Sequence, residues 1–135
     1  MTLARGPRNP AHFPRSARLL RRADFERVYR QGRKHFTGNM TVFFLRRDPP
    51  QGGPRAGLTV GRALGGAVVR NRIRRRMREA VRLGLSPLEA GVDLVIHPRK
   101  SVLDADFTRL CDEVNRAFAA IGAKLETESK RAGRE

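Results

Sequence analysis

Fifteen residues, Gly65–Glu79 (GGAVVRNRIRRRMRE), hold six arginines, one asparagine and a single acid. Arginine presents a planar, permanently charged fork that matches phosphate oxygens and stacks on bases. A row of such forks is chemistry for a polyanion. With Val69 set at zero and about 100° per residue, Ile73, Met77, Ala80 and Val81 fall within roughly 120°, as the buried stripe of a helix. Arg74, Arg75, Arg78 and Arg82 take the far side, Arg70, Arg72 and Arg76 flank the stripe, and Asn71 lands at about 200°, amid the arginines. Asn71 is the one member of that face that both donates and accepts.

A solvated helix face is the simpler reading of a charge run, and three details weigh against it. Solvated helices usually mix signs at i,i+4, where like charges cost what opposite charges gain, about 0.2–0.5 kcal/mol per pair. Here Arg70, Arg74, Arg78 and Arg82 form one row of like charge. Arg70 and Arg72 occupy the first turns, where the helix dipole disfavours cations. No acid occurs between Asp48 and Glu79. Each local term is unfavourable until an anionic partner supplies the missing charge.

The whole chain agrees. Across 135 residues, 29 basic side chains face 13 acidic ones, a net charge of +16 that makes polyanions attractive partners. Lysine accounts for only Lys34, Lys100, Lys124 and Lys130 among the basic residues. That preference for arginine has two readings, phosphate recognition or the codon bias of a GC-rich genome, and the net charge holds under either. The single cysteine, Cys111, excludes an internal disulfide framework, and no Cys/His spacing suggests zinc. No apolar run approaches a membrane span, so a cytoplasmic protein without membrane contact is expected. His12, His35 and His97 stand apart, the aspartates are scattered, and no nucleophile–base or two-metal constellation is visible. Catalytic and metal-ligating residues are expected to be absent from this chain.

Several elements must position the arginine helix. Residues 1–17 are basic and proline-interrupted and read as a flexible arm, 18–125 as one domain, and 126–135 as a polar tail. Phe25, Val28 and Tyr29 recur at helical spacing over residues 23–31, before Gly32. MTVFFLRR (Met40–Arg47) and RAGLTVG (Arg55–Gly61) read as strands, expected to pair as a hairpin across the loop DPPQGGP. Another short strand is expected near His35–Gly38. The arginine helix is placed at 67–83, a short apolar strand at VDLVIHP (Val92–Pro98), and a last amphipathic helix on Leu103, Phe107, Leu110, Val114, Phe118 and Ile121, with Ser101 and Asp104 as its cap. The expected fold class is α+β: a single-domain α-β sandwich of about four strands and three helices. Phe25, Tyr29 and Phe43 are either core residues or stacking platforms for unpaired bases.

The chain resembles the protein subunit of bacterial ribonuclease P. The resemblance rests on AVVRNRIRRRMRE (Ala67–Glu79), with DFERVYRQG (Asp24–Gly32), RAGLTVG and DLVIHPRK (Asp93–Lys100) in the same order around it. It implies a ribosomal-protein-like sandwich whose arginine helix forms a left-handed crossover between parallel strands. It also implies partnership with a large catalytic RNA and with precursor tRNA, whose 5′ leader is removed by Mg²⁺-dependent hydrolysis. The Mg²⁺ would be bound mainly by the RNA, with no obligate protein partner. Carried over by position, Arg70, Asn71, Arg72, Arg74, Arg75, Arg76 and Arg78 would face the catalytic RNA. Arg21, Phe25, Tyr29, Phe43 and Arg62 would line a cleft for the single-stranded leader. The family's paired lysines before the helix are here Arg62 and Ala63, which keeps one of two charges, and Pro98 is also unusual. A ribosomal protein or RNA chaperone of the same fold is the alternative.

Overall fold

A computed structural model of the chain describes residues 18, 21–47, 52–84, 88 and 91–133, the last five as backbone only. The expected arm, 1–17, lies outside them. The elements in order are α1 (Arg22–Gln31), β1 (Arg33–Phe36), β2 (Met40–Arg46), β3 (Arg55–Leu58), a 3₁₀ turn (Arg62–Leu64), α2 (Ala67–Gly84), β4 (Val92–Pro98), a second 3₁₀ turn (Lys100–Leu103) and α3 (Phe107–Gly133). They form three layers, α1, then a four-stranded sheet, then α2 with α3, which is the α+β sandwich expected.

The sheet order is β1-β2-β4-β3. β2 and β3 therefore do not form the expected hairpin. β4 lies between them, antiparallel to β2 from Met40↔Pro98 to Arg46↔Val92 and parallel to β3 from Arg55↔Asp93 to Leu58↔Ile96. The reason lies in β4 itself. Val92 through Ile96 are all buried, and a strand buried on both faces belongs at a sheet's centre, with a neighbour on each side. β1 and β3 become the edges; both are four residues long, and both begin with an arginine. α2 is the crossover between the parallel pair β3 and β4.

One sheet face carries Met40, Val42, Phe44, Leu94 and Ile96 into the main core, against Ile73, Met77, Ala80 and Val81 of α2 and Leu110, Val114, Phe118 and Ile121 of α3. Each of these side chains larger than Ala80 contributes about 1.5–3 kcal/mol when fully buried. The helices meet closely at Gly84, where a Cβ would stand 2.8 Å from Asn115 Oδ1 and 3.1 Å from Val114 Cγ1. The other face packs Val95, Phe43 and Leu45 against Phe25 and Val28 of α1.

Two boundaries differ from expectation. Ser101 does not cap α3; its hydroxyl donates to Asn39 Oδ1, and Asp106 Oδ2 instead accepts the Arg109 amide at 3.2 Å. An acid immediately before the first helical residue meets the unpaired amides of the first turn directly, which Ser101, six residues ahead of Phe107, cannot. The stretch from Glu126, expected as a tail, continues α3 to Gly133, with Leu125 buried just before it.

Candidate nucleic-acid interface

The chain enters α2 through Gly65, whose φ of 139° favours glycine and whose Cβ would press on Val69 at 3.0 Å. No acid occupies the first turn. Ile73, Met77, Ala80 and Val81 are buried as the helical angles require, and Arg72, Arg75 and Arg78 are exposed. Three partly covered arginines have internal partners. Arg70 Nε donates to the Gly65 carbonyl at 3.2 Å. Arg74 Nη1 donates to Asn71 Oδ1 at 2.7 Å, so the acceptor of Asn71 holds a neighbouring arginine and its amide nitrogen is left to donate outward. Arg82 pairs with Glu79 at 2.5 Å, and this hydrogen bond raises its pKa further.

Arg76 differs in kind. Its Nε donates to the Val102 carbonyl at 3.0 Å, its Nη2 donates to the Ala105 carbonyl, and its guanidinium lies 5.7 Å from the Phe107 ring centre. It ties α2 to the start of α3.

On the opposite side of the sheet, α1 places Tyr29 edge-on to Phe43, with ring centres 5.2 Å apart. His97 joins both rings, 5.3 Å from Tyr29 and 5.0 Å from Phe43. The Tyr29 hydroxyl lies 2.7 Å from Thr59 Oγ1 and 2.8 Å from His97 Nε2, and can donate to one and accept from the other. Lys34 Nζ sits 5.4 Å from the Phe43 ring centre. Phe25 is half-buried beside Val28, Arg21 is exposed just before α1, and Arg62 is exposed in the 3₁₀ turn. Thr59 precedes Ala67 by only eight residues, so this aromatic cluster and the start of α2 lie within about 28 Å of each other.

Burial lowers the pKa of His97, since packing against Tyr29 and Phe43 desolvates the imidazolium. His35, on the α3 side of the sheet, is lowered first by burial and then by Lys124, whose ammonium lies 3.1 Å from Nδ1.

Asp93 holds α1 in place. Fully buried, it accepts Arg27 from α1 at 2.8 Å, Arg47 after β2 at 2.5 Å, and Arg55 of β3 through two bonds of 2.8 Å each. The paired fork is the strong geometry for guanidinium and carboxylate, and its hydrogen bond raises the Arg55 pKa.

Sequence reasoning thus named the three aromatics and the exposed arginines but not Thr59 or His97 as the residues packed with the aromatics, nor Asp93 as the acid that holds α1. An acid within the apolar run VDLVIHP was the available signal for Asp93. His97 needed the β2–β4 register, which sets it opposite Thr41 and on the face of Phe43.

The family model described as Ribonuclease P matches residues 13–122. The ribonuclease P protein component of Acidothermus cellulolyticus is 40% identical over 109 residues, covering 81% of this chain and 91% of that one. Its counterpart in Chloroflexus aggregans is 45% identical over 119 residues, covering 84% and 85%. The structure of the Thermotoga maritima ribonuclease P protein superposes with a TM-score of 0.66 at 27% identity, over 75% of this chain and 94% of that one. The Staphylococcus aureus protein, at 24% identity, shares the fold with a TM-score of 0.68, over 79% and 96%.

Proposed function

This chain belongs to the ribonuclease P protein family, and we propose that it is the protein component of that tRNA-processing ribonucleoprotein, docking the catalytic RNA on α2 and holding the 5′ leader of precursor tRNA in the cleft under α1. One observation carries this reading: among the described residues the exposed arginines Arg72, Arg75 and Arg78 of α2 have no acidic partner, while an aromatic cluster lies on the other side of the sheet. Arg72, Arg75 and Arg78, with Asn71, Arg70 and Arg74 beside them, take RNA phosphates. Tyr29 and Phe43 stack an unpaired base, with Phe25 behind them, and Arg21 and Arg62 supply charge at the cleft's approaches.

The hydrolysis belongs to the RNA and its Mg²⁺. The acids tied into the fold are poor Mg²⁺ ligands: Asp93 is held by three guanidiniums, Glu79 by Arg82, Glu128 by Arg33, and Glu113 by Thr37 and Asn39. Burial opposes ionisation of Glu113, yet these hydrogen bonds and Arg99 together hold its pKa below the usual value. The protein contributes charge screening and leader positioning, easing the approach of two polyanions.

Reconstitution with the catalytic RNA of the same organism tests this. The protein should raise cleavage of precursor tRNA at low Mg²⁺ and bind leader-bearing substrate more tightly than mature tRNA in the complex. Copurification dominated by ribosomal RNA, with no effect on cleavage, would support the ribosomal-protein alternative instead.

A further inference from the structure

The sheet face that carries the cleft continues past α1. Register places Phe36 opposite Thr41, and Thr41 opposite His97, so these three share the face that bears Phe43. Phe36 is 65% exposed, and among the described residues Tyr29 at 38% is the other large apolar side chain exposed on this side of the sheet. The side chains packed around Val28 and Val95 are Phe25, Phe43 and Leu45, so α1 covers the far part of the face and leaves the Phe36 end out of that cluster. Strand rise and spacing put the Cα atoms of Phe36 and Phe43 about 8 Å apart. Cations flank the row: Lys34 lies over the Phe43 ring, and Arg99 Nη2 donates to Thr41 Oγ1 at 3.3 Å.

We infer that Phe36 is a second base-stacking station, taking an unpaired nucleobase from the same strand that Tyr29, Phe43 and His97 receive. The inference rests on the leader-cleft reading and extends it. A nucleic-acid strand fits this surface better than a second protein copy would. The surface is aromatic and flanked by Lys34 and Arg99, and two copies carrying +16 each repel. Aromatic stacking tolerates any base, so the station adds affinity along the leader without reading its sequence.

The test uses the reconstituted ribonucleoprotein and precursor tRNAs with leaders of increasing length. In the unmodified complex, affinity should rise in two steps, the first from the Tyr29 cluster and the second when the strand reaches Phe36. Phe36→Ala should abolish the second step alone, a loss of about five- to a hundred-fold. Phe36→Trp should retain that step and Phe36→Leu should not, which separates ring stacking from apolar bulk. An abasic leader nucleotide that removes the second step in the unmodified complex should have no further effect with Phe36→Ala. Persistence of both steps with Phe36→Ala overturns the second station and leaves the cleft standing. Absence of any leader dependence in the unmodified complex overturns the cleft reading itself. A lower sedimentation coefficient for free Phe36→Ala, with leader affinity unchanged, would assign Phe36 to contact between copies and also overturn the inference.

Discussion

Tyr29 and His97 meet twice, through a 2.8 Å contact between hydroxyl and Nε2 and through edge-on rings 5.3 Å apart. The first contact fixes the phenol's rotation, and the second fixes the distance of α1 from β4. With Thr59 as the other hydroxyl partner, one side chain links α1, the central strand and the segment leading to α2. The aromatic cluster is thereby fixed by contacts within the chain itself.

That arrangement has a pH dependence with a definite sign. Burial holds the folded-state pKa of His97 below its ordinary 6.5. Below pH 6.5 the unfolded chain therefore takes up a proton that the folded chain refuses, and stability falls as pH drops toward the folded value. His35 shifts in the same direction, so the two must be separated. Urea midpoints at pH 7.5 and 5.5 should differ less for His97→Asn than for the unmodified protein. An equal difference would remove His97 from this account.

The arginines of α2 should divide by their present partners. Replacing Arg72, Arg75 and Arg78 with alanine should reduce the slope of log K against log salt by about 2, at roughly 0.7–0.9 per lost phosphate contact. Arg82→Ala should leave the slope nearly unchanged, since Glu79 already neutralises that charge. Filter binding to the catalytic RNA over a salt series decides the matter; equal effects at Arg82 and Arg75 would contradict the division.

Arg76→Lys should preserve RNA affinity and lower stability by about 1–2 kcal/mol, because an ammonium reproduces the charge but not the forked bond to two carbonyls. Thermal melts alongside binding measurements give the answer. Weakened RNA binding with an unchanged melting temperature would place Arg76 among the RNA contacts and not at the α2–α3 junction.

Asp93→Asn removes the charge that three guanidiniums share, leaving them crowded around a neutral amide. Losing one partner of a buried ion network costs about 3–5 kcal/mol, and the partial exposure of the arginines favours the lower end. Chemical denaturation measures it. A change under about 1 kcal/mol would mean that the arginines find sufficient solvation by themselves.

What the sequence disclosed follows from what its signals encode. Helical angles placed Ile73, Met77, Ala80 and Val81 inward and Arg75 and Arg78 on the far side, because a single helix determines its own faces. Val92–Pro98 was legible as a strand from its apolar run and terminal proline. Neighbours are another matter: Met40–Leu45 is apolar on both faces, which records that both are covered but not which strand lies alongside, so β4 between β2 and β3 could not be read. Asp93 draws its three partners from 38 to 66 residues away in the chain, beyond any local pattern. The aromatics Phe25, Tyr29 and Phe43 could be named, yet Thr59 and His97 join them only through pairings between distant segments.

The position of β4 also bears on how the chain is made. β2 finds its central partner only after about fifty further residues, with Met40 waiting for Pro98, and among the described residues β3 has only the single bridge from Arg18 to Ala56 until β4 arrives. During synthesis from the N-terminus, α1, the β1–β2 hairpin and the whole of α2 emerge before the strand that unites them. Through that interval the nascent chain displays its densest positive charge without a sheet to anchor it. A product cut short of Val92 would carry the arginine helix without the strand that joins β2 to β3.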